Sequence, residues 1–463
     1  MLISTRLEYK GWDTMQQQST AVYNIEQFGA VGDGWANNTS AIKRAIEACS
    51  QGGGGTIYVP AGVFVTGAIE LKSNMHLHLE AGSELLFSND RADYPVISSR
   101  WEGASRDVFM SCIYACHAEN IAITGFGTLN GQGAYWWKLF KEDSLAYPRP
   151  NLVSFDHCER VHIEQVKMID SPSWTIHPND CDNVAISAVT IINPANSPNT
   201  DGINPESCRN VKISDCSIDV GDDCIAIKAG TEDAERAIPC ENITITNCTM
   251  LHGHGGVVFG SEMSGDIRNV VVSNCIFEGT DRGIRFKSRR GRGGTIENIR
   301  VSNIVMNNVI CPFILNLYYY HGPRGLEPYV SDKSAQPVTA LTPKFRHIHF
   351  SNITATNVTA AAGFLYGLPE MPVEDITFSH IRVAMKSGAE PDLPAMMMDL
   401  EPMKQRGFFC SNAEDVLFEH VTVQQQEGPA FEIMNSKNII MEHCRSKETA
   451  KDEVLVQMTN VIS

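Results

Sequence analysis

The amino-acid sequence predicts an all-β fold, a single-stranded right-handed parallel β-helix with a capping helix at its N-terminal end. A short motif, Asn-apolar-x-apolar-Ser/Thr, recurs along the chain at intervals of mostly about 23–32 residues, the length of one solenoid coil. Inside each copy apolar and polar residues alternate, as in a strand with one buried face. The chain has 463 residues, but a solenoid grows coil by coil as a single unit, so one domain is expected.

The first 21 residues differ from the rest of the chain. They are polar and mixed, and they contain no continuous apolar stretch of the kind that a secretion signal has. We therefore expect a poorly ordered leader over residues 1–21, one β-helical domain over residues 22–463, and a cytoplasmic location. No apolar run approaches the length of about 20 residues that spans a bilayer, so no membrane partner is expected.

A helix is predicted from Thr39 to Cys49, before the repeats begin. Ile42, Ala45, Ile46 and Cys49 fall on one face of it at helical spacing. The glycines at positions 52–55 end the helix. Such a helix would cover the open end of the solenoid and keep the first coil from pairing with another chain.

The repeats explain most of the remaining chain. The recurring Asn is expected to form a ladder at the bends of the coils, and cysteines that recur at one place in the repeat are expected to form a buried stack of thiols. A β-propeller is the alternative, but these repeats are shorter than a propeller blade and lack its Trp-Asp signature. No Cys-x-x-Cys pair occurs, which argues against a cysteine metal site. The copies of the motif begin at residues 120, 183, 210, 242, 269, 298, 347, 375, 415 and 438, and the cysteines are Cys216, Cys248, Cys275 and Cys444.

Longer gaps between the repeats mark three insertions, at residues 130–149, 321–344 and 384–406. Inserted loops over one face of a rigid scaffold are where such folds carry function.

The charge of the chain limits its partners. The formal net charge is −17, which argues against general nucleic-acid binding. An anionic substrate would therefore need a local basic pocket within an acidic surface. One stretch could supply it, with the cations Arg282, Arg285, Lys287, Arg289, Arg290 and Arg292.

Four short runs carry the candidate chemistry, at residues 199–201, 221–223, 253–255 and 285–287. Each is separated from the next by about one coil, so stacking would bring them into one patch. That patch would combine carboxylates that can divide the roles of proton donor and ionised base, as in a glycosidase site. An acid and a base on different coils could reach the separation of about 6.5–9.5 Å that inverting hydrolysis needs. The patch would hold Asp201, Asp222, Asp223, His254, Arg285 and Lys287.

Each run also has a plainer interpretation when taken alone. The pair Asp222-Asp223 could be a solvated turn, and a lone His254 is more often structural. Arg285 and Lys287 alternate and share a strand face, where they could be a solvated edge that prevents aggregation. Their occurrence together on neighbouring coils favours a functional site, in which Arg285 and Lys287 would bind a substrate carboxylate.

The set Asn-Thr-Asp, Gly-Asp-Asp, Gly-His-Gly and Arg-x-Lys, in this order and spacing, resembles glycoside hydrolase family 28, the polygalacturonases. The resemblance covers about residues 22–459 and includes the segment 125–136. It implies inverting hydrolysis of α-1,4-galacturonide bonds in pectin, without a metal or another cofactor. The substrate partner would be an acidic galacturonan.

The family pattern also implies roles for individual residues. Asp222 would be the general acid, and Asp201 and Asp223 would hold and deprotonate the attacking water. His254 would tune the acid or bind sugar, while Arg285 and Lys287 would bind a galacturonate carboxylate beyond the cleaved bond. The tyrosine that the family carries further on corresponds best to Tyr319, with Tyr318 and Tyr320 as neighbouring alternatives.

The segment after Lys287 departs from the usual family pattern and has the form Lys-Ser-x-x-Gly-x-Gly-Gly. This form resembles the exo-acting bacterial branch, in which Arg289 and Arg292 could hold a terminal galacturonate. We therefore predict release of galacturonic acid, or of a dimer, from chain ends. The alternatives are an endo-polygalacturonase, a rhamnogalacturonan or xylogalacturonan hydrolase, a calcium-dependent pectate lyase, and a non-catalytic carbohydrate-binding β-helix. The oligomeric state is left open.

Overall fold

The computed structural model describes residues 21–447 and 455–462 and has the predicted fold, a right-handed parallel β-helix. Strands of successive coils pair in parallel and in register. One inward position shows the result, because Ile213 pairs with Ile245, Ile245 with Val272, and Val272 with Val301. The stacked apolar side chains form the core along the axis of the helix. Residues 1–20 of the expected leader lie outside the described residues.

One sheet runs along the helix and carries the candidate site; we call it the site sheet. It consists of four strands and then eight strands, joined by isolated bridges from Ile203 to Ile176 and Ile225 and from Glu206 to Asn179 and Lys228. Its strands are β1 Ile69–Glu70, β2 Ile113–Cys116, β3 Val153–Asp156, β4 Ile176–Asn179, β5 Asp223–Ile227, β6 Gly255–Gly260, β7 Arg282–Lys287, β8 Cys311–Asn316, β9 Ala361–Tyr366, β10 Arg406–Ser411, β11 Phe431–Met434 and β12 Val456–Thr459.

The remaining parallel strands form one sheet of 25 strands that makes the other faces of the coil. In three long strands the chain passes from one face to the next without a break. The strands are Val22–Asn24, Asp33–Asn37, Gly55–Val59, Gly62–Thr66, Met75–Leu79, Ser83–Phe87, Glu119–Gly125, Thr128–Asn130, Glu159–Glu164, Lys167–Ile169, Asp182–Ser187, Thr190–Ile192, Arg209–Ser214, Ser217–Val220, Cys240–Thr246, Thr249–His252, Ile267–Ser273, Ile276–Glu278, Thr295–Asn307, Lys344–Val358, Val373–Met385, Ala413–Glu419, Thr422–Gln424, Lys437–Glu442 and Arg445–Lys447.

The predicted capping helix is present as α1, Thr39–Gln51, and all four residues of its predicted apolar face are buried. Two shorter helices, α2 Gly133–Lys141 and α3 Pro328–Ser331, lie in two of the predicted insertions. Short 3-10 segments cover Ile25–Phe28 and Arg91–Asp93. No helix in the described residues is long and apolar enough to cross a membrane.

An antiparallel hairpin, Val96–Trp101 with Ala104–Phe109, was not predicted from the sequence. In the sequence the hairpin lies between the strands β1 and β2 of the site sheet. Its residues interrupt the repeat and do not follow the pattern of the coils.

The expected thiol stack is present. Cys216, Cys248 and Cys275 are buried one coil apart, whereas Cys444 in a late coil is partly exposed. All 14 cysteines are free thiols.

The expected asparagine ladder is also present. Asn210, Asn242, Asn269 and Asn298 adopt φ angles of 57–60°, in the left-handed region, which Asn tolerates better than most residues. The last three amides each donate to the amide oxygen one coil earlier, at 3.3 Å from Asn242 to Asn210, 3.1 Å from Asn269 to Asn242 and 3.3 Å from Asn298 to Asn269. The same residue type therefore supplies the bend and the link between coils.

Substitution of Asn242 separates these two contributions. Asn242→Ala loses both ladder bonds and places an L side chain with a β-carbon in the left-handed region, whereas Asn242→Gly loses only the bonds. We expect the Ala variant to be less stable than the Gly variant by about 1 kcal/mol, and both to be less stable than the parent. Urea unfolding of the three proteins measures this, and equal stability of the two variants would contradict the strain argument.

Candidate functional site

Three of the four sequence runs lie where strands of the site sheet begin, and the fourth, residues 285–287, lies at the end of β7, from which Arg285 and Lys287 reach Asp223. Backbone hydrogen bonds hold the bends in register: Thr175 N donates to Asp201 O at 2.9 Å, Gly202 N to Asp223 O at 3.0 Å, and His254 N to Asp222 O at 3.0 Å. Residues separated by about 20–30 positions in sequence are therefore neighbours in space.

Two glycines allow this close approach. A β-carbon on Gly221 would lie 2.5 Å from the carbonyl oxygen of Ser197, and one on Gly253 would lie 2.5 Å from that of Asp222. Gly253 also has a φ of +82°, which favours glycine. The predicted bend before Asp222 and Asp223 is present, and both side chains line one pocket.

Three carboxylates line this pocket: those of Asp201, Asp222 and Asp223. One oxygen of each lies within 4.8 Å of the other two. This is closer than the separation expected from the sequence for an acid and a base on different coils. Asp201 and Asp223 are buried, whereas the side chain of Asp222 is 21% exposed.

Asp223 is held by two cations. Lys287 Nζ donates to its Oδ2 at 2.7 Å, and Arg285 Nη1 lies 3.4 Å from its Oδ1. Burial acts to raise the pKa of Asp223, but the Lys287 and Arg285 charges outweigh it and hold that pKa well below its ordinary value. Asp223 is therefore ionised at neutral pH.

The pKa of Asp201 is shifted in the opposite direction from that of Asp223. Burial and the neighbouring Asp222 carboxylate raise the pKa of Asp201 to about 8, although Lys228 and a 3.0 Å hydrogen bond from Asn204 Nδ2 act against the rise. A pKa of about 8 leaves Asp201 mostly protonated at neutral pH. His254 Nδ1 lies 3.2 Å from Asp222 Oδ1, and this hydrogen bond raises the pKa of His254.

One end of the pocket is closed by three segments from distant parts of the chain. The turn of the hairpin is hydrogen-bonded to the loop 230–234, since Thr231 N donates to Gly103 O at 3.2 Å. The same loop is joined to the insertion at 321–344, where Arg324 Nη2 lies 2.9 Å from Asp233 Oδ1. His321, at the start of that insertion, lines the pocket. The acidic cluster thus lies in a pocket that ends in a wall.

Comparison with known proteins assigns the family. The model of the family described as "Glycosyl hydrolases family 28" matches residues 49–394. The chain belongs to glycosyl hydrolase family 28. It is therefore a glycosidase with the family's parallel β-helix fold.

Individual relatives agree with this assignment. The chain is 34% identical over 390 residues to a probable polygalacturonase of Vitis vinifera, covering 82% of this chain and 77% of the relative. It is 31% identical over 325 residues to an endo-polygalacturonase of Pectobacterium carotovorum, covering 66% of this chain and 78% of the relative. The crystal structure of an exopolygalacturonase from Thermotoga maritima matches with a TM-score of 0.70 and 34% identity, covering 79% of this chain and 87% of that one.

The arginine-rich stretch at residues 282–292 of this family 28 chain holds loops in place and also contributes to the wall of the pocket. Arg289 and Arg292 each bind Glu232 at 2.7 Å, and Arg290 binds Glu370 at 2.6 Å. Arg292 still lines the pocket, as predicted for a substrate-binding residue. Arg289 does not, because its guanidinium is fully buried between Glu232 and the Pro323 carbonyl. The structure therefore places Arg289 as a support for the wall.

The tyrosine that the sequence singled out lies in the pocket. The ring of Tyr319 faces both cations, with Lys287 Nζ 5.3 Å and Arg285 Cζ 5.7 Å from its centroid. Its neighbour Tyr318 is buried on the other side, where Lys333 Nζ lies 3.5 Å from the ring centroid.

Several pocket residues were missed from the sequence. Lys228 pairs with Glu262 at 3.2 Å, and both line the pocket together with Trp174. Lys228 could have been noticed, because it directly follows the buried run 224–227 on the strand that starts at Asp223. Glu262 and Trp174 carried no such signal.

The three carboxylates are also the only described group of three or more His, Cys, Asp or Glu residues that could hold a metal ion. Asp201 and Asp222 could contribute oxygen ligands to a hard cation such as calcium. Asp223 is less suited, since both of its oxygens already face Lys287 and Arg285. The fixed cations thus neutralise the carboxylate that a metal would otherwise neutralise.

Asp201→Asn tests the raised pKa of this carboxyl through stability. The ordinary pKa is 3.8 and the folded-state pKa is about 8, so between these values the unfolded state releases the proton while the folded state keeps it. The stability that this group contributes is full below pH ~4 and is lost as the pH rises towards ~8. We expect the parent to lose about 2–3 kcal/mol relative to the variant between pH ~5 and pH ~7.

Urea unfolding at a series of pH values measures this difference. Asp107→Asn, which alters an exposed carboxyl of the hairpin, is the matched control and should follow the parent. Parallel pH slopes for the parent and Asp201→Asn would show that Asp201 has no raised pKa.

Proposed function

We propose that the protein is an exo-acting polygalacturonase that releases galacturonic acid from the ends of galacturonate chains by inverting hydrolysis. The single observation that carries this proposal is a pocket closed at one end, with three carboxylates and Lys287 in its lining and Arg285 beside Lys287. The relatives described above include enzymes named for both exo and endo action. The choice between the two modes therefore depends on the shape of the site.

The cations identify the substrate as acidic. Arg285 and Lys287 lie side by side on β7, and Lys287 lines the pocket. A sugar carboxylate in the pocket would be attracted by both charges and would meet Lys287 directly. The ring of Tyr319 beside these cations suits the apolar face of the same sugar.

The carboxylates divide the acid and base roles. Hydrolysis of a glycosidic bond needs a proton for the leaving oxygen and an ionised carboxylate that activates water. Asp223 supplies the ionised carboxylate. Asp201 holds a proton at neutral pH, and Asp222, within 4.8 Å of it and the more exposed of the two, is placed to deliver a proton to the substrate. The family resemblance assigned Asp201, together with Asp223, to holding and deprotonating the attacking water. The raised pKa of Asp201 instead favours a role in which Asp201 holds a proton.

His254 supports the proton transfer through its contact with Asp222. Its hydrogen bond to Asp222 Oδ1 leaves Oδ2 without a partner in the described residues, and that oxygen is free to carry the proton to the substrate. Once the proton has been delivered, the imidazolium stabilises the carboxylate that remains.

The short distance between the carboxylates bears on whether hydrolysis inverts or retains the anomeric configuration. Separations near 5 Å are more typical of retaining enzymes, in which one carboxylate attacks the sugar directly. Here the ionised carboxylate, Asp223, has both oxygens engaged by cations, which lowers its power as a nucleophile. Water held against Asp223 is the better nucleophile, so we propose that the anomeric configuration inverts.

Exo action follows from the closed end. The hairpin turn, the loop 230–234 and the insertion beginning at His321 are joined to one another and contribute Glu102, Thr231 and His321 to the lining of the pocket. We propose that they stop a substrate chain from continuing past them. A chain end fits such a pocket, whereas an internal stretch of polymer needs a groove open at both ends. Release of a monomer requires space for one sugar between the wall and the carboxylates.

Asp222→Asn tests the function and the acid assignment together. We expect the parent to release galacturonic acid from trigalacturonate and from long polygalacturonate at early times, without a ladder of internal fragments. We expect the variant to lose activity by about 10³-fold or more, since it removes the proton donor. Chromatography of early products measures both, and proton NMR of the first product should show the β-anomer.

Other outcomes would select the other candidate functions. A ladder of mid-length oligomers would establish endo action on the same site. Unsaturated products whose formation a chelator abolishes would indicate a calcium-dependent lyase. The control Asp107→Asn lies outside the pocket and should retain the activity of the parent.

A further inference from the structure

One carboxylate in the pocket has no place in the proposed mechanism. Glu102 lines the pocket together with Asp201 and Asp222, yet it forms no hydrogen bond or ion pair with any of the described residues. Its side chain is half-buried, and burial, with the Glu262 charge adding to the effect, raises the pKa of Glu102. A carboxylate in this condition has free acceptor oxygens directed at whatever fills the pocket.

The backbone at Glu102 is not the one that its residue type would favour. Trp101 pairs with Ala104, so Glu102 and Gly103 form a two-residue hairpin turn, and their φ values are 48° and 78°. Turns with two positive φ angles favour Asn-Gly or Asp-Gly, because the short polar side chain tolerates the left-handed conformation. Glu at the first position is strained without any benefit to the turn itself. Such an outlier points to a role for the side chain.

The turn is held firmly in its place at the wall. Arg100 Nη1 lies 3.3 Å from Glu206 Oε1, and the Trp101 ring stacks on Trp174 with centroids 5.5 Å apart. Gly103 packs against the loop 230–234 so closely that a β-carbon there would lie 2.9 Å from Thr231 N. The carboxylate of Glu102 is thus positioned in advance, which lowers the entropy cost of binding a ligand.

The chemistry of a pyranose indicates what Glu102 would meet. In a 1,4-linked sugar, C1 and C4 lie at opposite ends of the ring. When the terminal sugar occupies the pocket with its C1 at Asp222, its C4 points to the wall. Only at the non-reducing end does C4 carry a free hydroxyl; in every internal sugar that oxygen belongs to the next glycosidic bond. A carboxylate at the wall is suited to accept a hydrogen bond from that hydroxyl.

We propose that Glu102 binds the 4-hydroxyl of the non-reducing terminal sugar and thereby selects chain ends. This inference rests on the proposed exo function and specifies which end is read. An internal sugar would present Glu102 with an ether oxygen and no proton, so the carboxylate would be buried unpaired. The discrimination is therefore electrostatic as well as steric.

Glu102→Asn is the test variant, because Asn-Gly is a preferred sequence for this turn and the shorter side chain withdraws the oxygens from the pocket. The substrates are trigalacturonate and the trimer with a 4,5-unsaturated non-reducing end, which lacks the 4-hydroxyl. We expect kcat/KM of the variant to fall about 10–100-fold on the saturated trimer and to remain unchanged on the unsaturated one. Asp107→Asn, on the same hairpin but exposed, should change neither value.

Inhibition by monosaccharides provides a second measurement that needs no turnover of a poor substrate. Galacturonate and glucuronate differ only in the orientation of the 4-hydroxyl. We expect Glu102→Asn to weaken inhibition by galacturonate about 10-fold and to leave inhibition by glucuronate unchanged. Trigalacturonate reduced at its other end should show the same loss as the unmodified trimer.

The outcomes separate the two proposals. If the parent releases no monomer from trigalacturonate, the exo function is wrong and the role of Glu102 fails with it. If the parent releases monomer but the variant loses the same factor on both trimers, or on both monosaccharides, only the role of Glu102 is overturned. A selective loss on the substrates that carry the galacto-configured 4-hydroxyl supports the assignment.

Discussion

The stacking register of the coils is the constraint on which the rest of this structure depends. Each coil repeats the previous one, displaced by one strand spacing, and the backbone bonds from Thr175 N to Asp201 O and from Gly202 N to Asp223 O fix that displacement at the site. A shift of one residue in one coil would turn its inward side chains outward and separate the three carboxylates. The ladder of asparagine amides and the aligned apolar core protect this register along the chain.

Register also explains how opposite charges can be buried together. Asp223 starts β5, and Arg285 and Lys287 stand on β7, two strands along the same sheet. Two cations within reach of one carboxylate satisfy both of its oxygens, so the cost of burial is offset by short polar contacts. Asp201, one coil earlier, lacks such partners and takes up a proton instead. Position along the stack thus sets the protonation of residues that are chemically identical.

The walls of the pocket follow a different principle. The hairpin, the loop 230–234 and the insertion at 321–344 are not part of the repeat, and ion pairs hold them over the site. Glu232 forms ion pairs with Arg289, Arg292 and Arg324. An acidic protein can therefore hold many arginines in one segment without presenting a basic surface. The scaffold supplies the catalytic carboxylates, and the insertions decide what shape of substrate reaches them.

The sequence by itself determined the parallel β-helix, the capping helix, the asparagine ladder and the convergence of four runs on one patch. These features depend on local alternation and on a regular repeat, both of which can be read along the chain. The resemblance to the family also singled out Tyr319 and Arg292, and both line the pocket. Periodicity is sufficient for the coils because each coil repeats the conditions of its neighbour.

Only the tertiary structure decided which carboxyl holds a proton, that Arg289 supports the wall, and that Glu102 and Glu262 line the pocket of the acidic cluster. Glu102 is about 100 residues from Asp201 in sequence and lies outside the repeat, so no local pattern connects them. Its position comes from long-range contacts of the hairpin with Glu206, Trp174 and Thr231. The repeat is a local property of the sequence, whereas the closure of the pocket depends on contacts between segments that share no pattern.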